Sequence, residues 1–167
     1  MIDFKNYIIE IPDFPIKGIV FKDITPMLTD CFNESIEAMV GLYPEEFWDK
    51  VDHIAGIEAR GFIFAAALAS RLNKGFVPIR KQGKLPRPAG QIKFRLEYGD
   101  TTAEIHAGKG SLLIVDDIIA TGGTISAGAT LASQVGFTIC GICTFIDLGL
   151  NKRLTWNDIK TKSVVYY

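Results

Sequence analysis

Cysteine and histidine are scarce, three of one and two of the other in 167 residues. So few cysteines, and an odd number, exclude the disulfide framework that staples small secreted domains. Cys140 and Cys143 form a C-x-x-C, yet no second cysteine pair or paired histidine completes four zinc ligands. Their setting, FTICGICTFI, reads as a buried strand, where residues three apart point to opposite faces. Both thiols are therefore expected as small core residues. His53 and His106 have no partner constellation and are read as structural. No apolar run reaches the length of a membrane-spanning helix. The first residues, MIDFKNYIIEIPDF, lack the basic segment and apolar stretch of a signal peptide. A cytoplasmic location, with no membrane partner, is the expectation. The net charge is -1, so the chain as a whole is no electrostatic match for nucleic acid. A polyanionic ligand would have to be met by local charge.

What is present suits a folded domain. The composition is 48% hydrophobic and 22% charged, and the length fits one domain over residues 1–167 with a small N-terminal lobe, about residues 1–35. The first fifty residues read as irregular, with Pro12, Pro15 and Pro26 breaking regular structure. Helices are expected near 33–39 and 45–50. From Val51 the pattern changes. DHIAGI reads as a strand, GFIFAAALASRL as a helix stopped at Asn73-Lys74-Gly75 by a glycine signal, and FVPI as the next strand. The basic stretch RKQGKLPRPAGQ follows. It is too rich in Gly and Pro to be a buried element, and a loop of that length is usually functional or disordered. IKFRLEY and TAEIHAG form a hairpin pattern around Gly99-Asp100. LLIV is a strand ending at Asp116, TISAGATLASQV a helix by its apolar spacing, Gly136 its cap, and FTICGICTFI a final strand. Strand–helix–strand recurs, so the fold class is α/β with a mostly parallel sheet flanked by helices. Ligands should sit at the carboxyl ends of its strands.

The run LLIVDDIIATGGT carries the chemistry. Asp116 and Asp117 are adjacent carboxylates delivered by a buried strand. Carboxylates accept hydrogen bonds in pairs and suit vicinal sugar hydroxyls. Thr121-Gly122-Gly123-Thr124 then opens a helix. Glycines let several N–H groups converge, and the helix start adds unpaired donors and partial positive charge. Together these make a phosphate cradle. Hydroxyl clamp and cradle lie one short loop apart, about the span of a ribose-5-phosphate. There is no G-x-x-x-x-G-K-[ST] and no G-x-G-x-x-G, which excludes the triphosphatase loop and the dinucleotide fingerprint.

LLIVDDIIATGGT resembles the signature that binds 5-phosphoribosyl-1-pyrophosphate (PRPP) in type I phosphoribosyltransferases. FPIKGIVFKDITPML, GIEARGFIFAAALA, VPIRKQGKLP and LEYGDTTAEIH, in that order along the chain, resemble the adenine phosphoribosyltransferases. The resemblance implies a type I phosphoribosyltransferase-like fold with a small N-terminal hood and a flexible catalytic loop. It implies transfer of the phosphoribosyl group from PRPP to N9 of adenine, giving AMP and pyrophosphate, with Mg2+ bound alongside PRPP, in a homodimer. Two alternatives stay open: a phosphoribosyltransferase for another purine, and a PRPP-sensing regulator of the same fold that binds nucleic acid.

The resemblance also assigns roles. Asp116 and Asp117 hold the ribose hydroxyls, and Ala120, Thr121, Gly122, Gly123 and Thr124 hold the 5'-phosphate. Ala59, Arg60 and Gly61 form the pyrophosphate turn, with a non-proline cis peptide and Arg60 as a catalytic cation. Arg80, Lys81 and Lys84 reach pyrophosphate too, partly across a dimer interface, while Gln82 stands where relatives often carry another basic residue. Glu97 and Tyr98 belong to the closing loop, with Glu97 as candidate acid or base. Val20, Phe21, Lys22 and Leu148 contact adenine.

Overall fold

The computed structural model describes residues 2–96, 99–150 and 154–167. The chain forms two compact units, Met1–Ala38 and Met39–Tyr167.

The smaller unit is more regular than its prolines suggest. A 3-10 turn (Phe4–Tyr7) is capped by Asp3, whose carboxylate accepts from the Lys5 amide. Strands β1 (Ile9–Pro12) and β2 (Val20–Asp23) pair antiparallel, with Glu10 opposite Lys22 and Ile11 opposite Phe21. Helices α1 (Thr25–Asp30) and α2 (Phe32–Val40) follow. The expectation of an irregular segment is therefore corrected. Pro12 closes β1 at its last residue. Pro26 lies in the first turn of α1, where a missing N–H deprives the helix of no bond. Asp23 starts that helix by accepting from both the amide and the hydroxyl of Thr25.

The larger unit holds the short helix α3 (Glu45–Trp48), β3 (His53–Ile57), α4 (Gly61–Leu72), β4 (Gly75–Lys81), β5 (Gly90–Leu96), β6 (Gly99–Ile105), β7 (Ser111–Ile119), α5 (Gly123–Gln134), β8 (Thr138–Asp147), β9 (Thr155–Trp156), β10 (Ile159–Lys160) and β11 (Lys162–Tyr166). Seven strands form one sheet in the order β11-β8-β7-β3-β4-β6-β5. The first five are parallel. The β5–β6 hairpin adds on antiparallel to β4.

Both faces of the parallel strands are covered, which is why these strands read as continuous apolar runs. On one face Ala55, Ile57, Leu112 and Ile114 pack with Ile125, Ala129 and Ala132 of α5. On the other, Phe64 of α4 stacks on Phe145 of β8 with ring centroids 5.4 Å apart. Phe64, Leu68, Ile54 and Leu113 are fully buried, each contributing roughly 1.5–3 kcal/mol. Cys143 is buried and Cys140 half-buried. Burial pushes their thiols up to about 12 and about 11, as befits packing residues rather than nucleophiles.

Three boundaries differ from the sequence reading. The left-handed residue ending α4 is Asn73, at φ 54° and ψ 48°, not Gly75, which begins β4; asparagine tolerates that region through its short polar side chain. Arg80 and Lys81 extend β4 through bridges to Glu104 and Ala103, so the irregular basic loop covers only 82–89. Finally, β7 does not stop before the aspartates but runs to Ile119.

Candidate active site

The aspartate pair owes its place to a step in the sheet. Pairing of β7 with β3 ends at Gly56 opposite Val115. Pairing with β8 continues to Ile119 opposite Asp147. Asp116 and Asp117 thus lie inside β7 but past its last pairing with β3, at the carboxyl end where a sheet of this class opens toward ligand. Both are buried, 9% and 4% exposed. The Asp117 amide donates to Asp116 Oδ1 at 2.9 Å. Burial drives both carboxyls above their ordinary range. Asp117's charge raises Asp116 further, while Arg60 pulls Asp117 back.

The turn after β3 fills the space beside them. The Glu58–Ala59 peptide is cis. Arg60 caps α4 and its Nη2 lies 2.7 Å from Asp117 Oδ2. Gly61, the first residue of α4, sits so close that a Cβ there would fall 2.7 Å from Asp116 Oδ1 and 3.1 Å from the Val115 carbonyl oxygen. Only a residue without a side chain admits this approach.

Beyond Ile119 the chain turns through Ala120 and Thr121 into α5. Gly122 is the N-cap residue at φ 85° and makes no side-chain cap hydrogen bond. A glycine N-cap brings no side-chain oxygen of its own to the first-turn amides, and a helix start of this kind suits an anion. Thr121 is exposed, and Gly123 and Thr124 are half-buried. A Cβ on Gly122 would meet the Leu154 methyls at 2.9 and 3.0 Å. The Leu148 amide donates to the Ile119 carbonyl at 3.0 Å, which sets Leu148 beside the entrance to this turn.

The basic residues at the end of β4 converge on one carboxylate, Glu58, to which the sequence reading gave no role. Glu58 accepts from the Lys81 amide at 2.9 Å, from Lys84 Nζ at 3.2 Å, and from Arg80 Nε and Nη2 at 3.4 and 3.5 Å. Burial pushes its carboxyl up, but the Lys81 amide, Arg80 and Lys84 together outweigh that and hold it down at about 2. A second unassigned acid, Glu104, only 2% exposed, accepts from the Leu85 amide and from Gln91. The one sequence signal for Glu58 is an acid directly before Ala59-Arg60-Gly61. Its partners are 22 to 26 residues away and are found only through the β3–β4 register.

In the smaller unit, Val20 is exposed and Phe21 half-buried. The Phe21 ring meets Phe14 edge-on at 5.2 Å. Lys22 is buried and ion-paired with Glu10. His53 is half-buried, edge-on to Phe137 at 6.0 Å, and His106 is exposed. Glu97 and Tyr98 lie outside the described residues.

A family model of the phosphoribosyl transferase domain matches residues 28–165. That class fits a parallel sheet whose β7–α5 turn joins two buried aspartates to a helix start with glycine at its N-cap. The adenine phosphoribosyltransferase of Hydrogenovibrio crunogenus is 41% identical over 97% of this chain and 95% of its own. Among solved structures, the adenine phosphoribosyltransferase of Thermoanaerobacter pseudethanolicus superposes with a TM-score of 0.90 at 44% identity, covering 99% of this chain and 98% of that one. The Saccharomyces cerevisiae enzyme, complexed with an imino-altritol bisphosphate and adenine, gives 0.87 at 34% identity, covering 97% and 96%. The chain belongs to the adenine phosphoribosyltransferase family.

Proposed function

We propose that this chain transfers the 5-phosphoribosyl group of PRPP to N9 of adenine, releasing AMP and pyrophosphate. The observation that carries the reading is the buried Asp116–Asp117 pair beside both the Arg60 turn and the Gly122 helix start. Ribose hydroxyls donate to the two carboxylates. The 5'-phosphate takes the Ala120–Thr124 turn, with its backbone amides and the hydroxyls of Thr121 and Thr124. Pyrophosphate meets Arg60, the Ala59–Gly61 backbone, and Arg80, Lys81 and Lys84. Stabilising negative charge that develops on a leaving group lowers the barrier, so the cations act on the step that breaks the anomeric bond. Adenine N9 attacks from the opposite side, with inversion, through a sugar of oxocarbenium character. Val20, Phe21, Lys22 and Leu148 serve the base. Glu97 is the candidate for proton exchange at the purine, and Tyr98 shares its loop, whose closure excludes water.

Magnesium would come with PRPP, carried by the substrate's phosphates rather than by a protein-only site, and the hard oxygens of Asp116 and Asp117 suit a site that would receive it. When bound with PRPP it neutralises pyrophosphate charge. A homodimer and a cytoplasmic location complete the reading. Among the described residues no helix is long and apolar enough to cross a membrane.

The test is turnover. Purified protein with adenine, PRPP and magnesium is expected to form AMP, and faster than it forms product from hypoxanthine, guanine or xanthine. No AMP, under conditions where a family member is active, overturns the reading.

A further inference from the structure

We infer that Glu58 is a positioning residue for the leaving group: it holds Arg80 and Lys84 in the arrangement that receives pyrophosphate. The inference rests on the reaction proposed above.

The geometry is a closed circuit. The Glu58 amide donates to the Ile79 carbonyl at 3.0 Å, fixing the residue against β4. Its carboxylate takes four donors, one from the Lys81 backbone and three from the Arg80 and Lys84 side chains. Arg80 Nη1 donates to the Lys84 carbonyl at 2.9 Å, and the Lys84 amide to the Lys81 carbonyl at 3.2 Å across a turn with Gly83 at φ 78°. Residues 80–84 are thereby wrapped around one acid. That acid is joined by its own peptide to Ala59 and Arg60, the turn assigned to pyrophosphate.

Charge decides what the circuit is for. Two cations share a single carboxylate, and Lys81 is exposed beside them. Glu104, buried opposite Arg80 in the β4–β6 register, is the second acid of this neighbourhood; against Glu58 and Glu104, the charges of Arg80, Lys81 and Lys84 leave one positive charge over, so the cluster is not self-neutralised. An exposed lysine or arginine loses much side-chain freedom when it grips a ligand. Here that loss has already occurred in the free protein. Glu58 contributes by pre-ordering the cations, an effect specific to the pyrophosphate-bearing substrate.

The experiment is steady-state kinetics on Glu58→Gln, which keeps shape and an acceptor for the Lys81 amide but removes the charge. The expected result is a KM for PRPP raised about tenfold, as for the loss of a charge-assisted hydrogen bond. Inhibition by pyrophosphate should weaken in parallel, with the KM for adenine within about twofold. In a Lys84→Met background the same replacement should have a smaller effect on PRPP, because part of what it positions is gone. An unchanged KM for PRPP, equal shifts in both KM values, or full additivity with Lys84→Met overturns the inference. If Glu58→Gln fails to fold, Glu58→Asp, which keeps the charge but withdraws it by one methylene, is judged by the same criteria. Failure of the wild-type protein to make AMP counts against the proposed reaction instead; an active wild type with insensitive Glu58 variants counts against this role alone.

Discussion

Arg60 Nη2 lies 2.7 Å from Asp117 Oδ2, an ion pair between the turn after β3 and the interior of β7. Each partner is assigned to a different part of one substrate, the ribose for Asp117 and the pyrophosphate for Arg60. In the free protein each supplies the other's counter-charge. On the proposed assignment, a bound sugar would give Asp117 hydroxyl donors and pyrophosphate would give Arg60 an anionic partner, so each would trade the ion pair for contacts with substrate.

Asp117→Asn is the direct probe of that exchange. It preserves volume and removes the charge that both hydroxyls and Arg60 read. Losing charge-assisted hydrogen bonds is worth roughly 1.5–3 kcal/mol each, so kcat/KM for PRPP should fall on the order of tenfold to a hundredfold. Circular dichroism should remain that of the wild type. Normal PRPP kinetics in this variant would remove Asp117 from the site.

Gly61→Ala tests the close approach of α4 to Asp116. The added Cβ would fall 2.7 Å from a carboxylate oxygen and 3.1–3.2 Å from the backbone of Val115 and Asp116. Backbone must move, and overpacking of this kind costs about 1–3 kcal/mol. Urea denaturation should show that loss, and the KM for PRPP should rise because Asp116 is displaced. A variant with wild-type stability and wild-type PRPP binding would show that the approach has no consequence.

The two carboxyl environments predict opposite pH responses. Burial holds Asp116 above its ordinary value of 3.8. Between the unfolded and folded values, the folded state binds more protons than the unfolded state, so stability falls as pH rises through that interval. Ionising Asp116 is therefore a burden on the fold. Asp116→Asn should melt higher than wild type at pH 7, and the gap should close as pH falls toward 3.8. A lower melting temperature at pH 7 with intact secondary structure would contradict this.

Glu58 runs the other way. Its carboxyl is held at about 2 against an ordinary 4.5. Its stabilising contribution is complete above the ordinary value and is lost as pH falls through the folded one. Glu58→Gln should therefore melt below wild type at pH 7. The difference should shrink between pH 4.5 and about 2. A difference independent of pH over that window would show that the carboxylate charge is not what stabilises the turn.

What could be read in advance follows sequence distance. Asp116, Asp117 and the Thr121–Thr124 helix start lie within nine residues, so strand, turn and helix patterns carried that part of the site. The parallel sheet was legible because β3, β4, β7 and β8 are apolar runs separated by helical periods. The Glu58 cluster was not, because it exists only once Ile57 is set against Ile79. Nor was the true end of β7: the polarity of Asp116 and Asp117 marks a strand end in the sequence, yet pairing with β8 carries the strand past them. Pro26 misled because a proline is a breaker inside a helix but a natural first-turn residue.

The same register logic separates two residues of the run proposed to contact the base. Glu10 stands directly opposite Lys22 in the β1–β2 hairpin, and their side chains are ion-paired with Lys22 only 8% exposed. The Lys22 ammonium is thus engaged within its own hairpin, leaving its backbone for any part in base recognition. Phe21, on the alternate face, keeps a half-exposed ring. Stacking of a base on an aromatic side chain is worth roughly 1–3 kcal/mol. Phe21→Ala should therefore raise the KM for adenine about tenfold or more, and leave the KM for PRPP within about twofold. Lys22→Met should change neither by more than about twofold, since it removes an interaction with Glu10 rather than with a ligand. If Lys22→Met weakens adenine as strongly as Phe21→Ala, the ammonium reads the base and the hairpin ion pair opens when adenine binds.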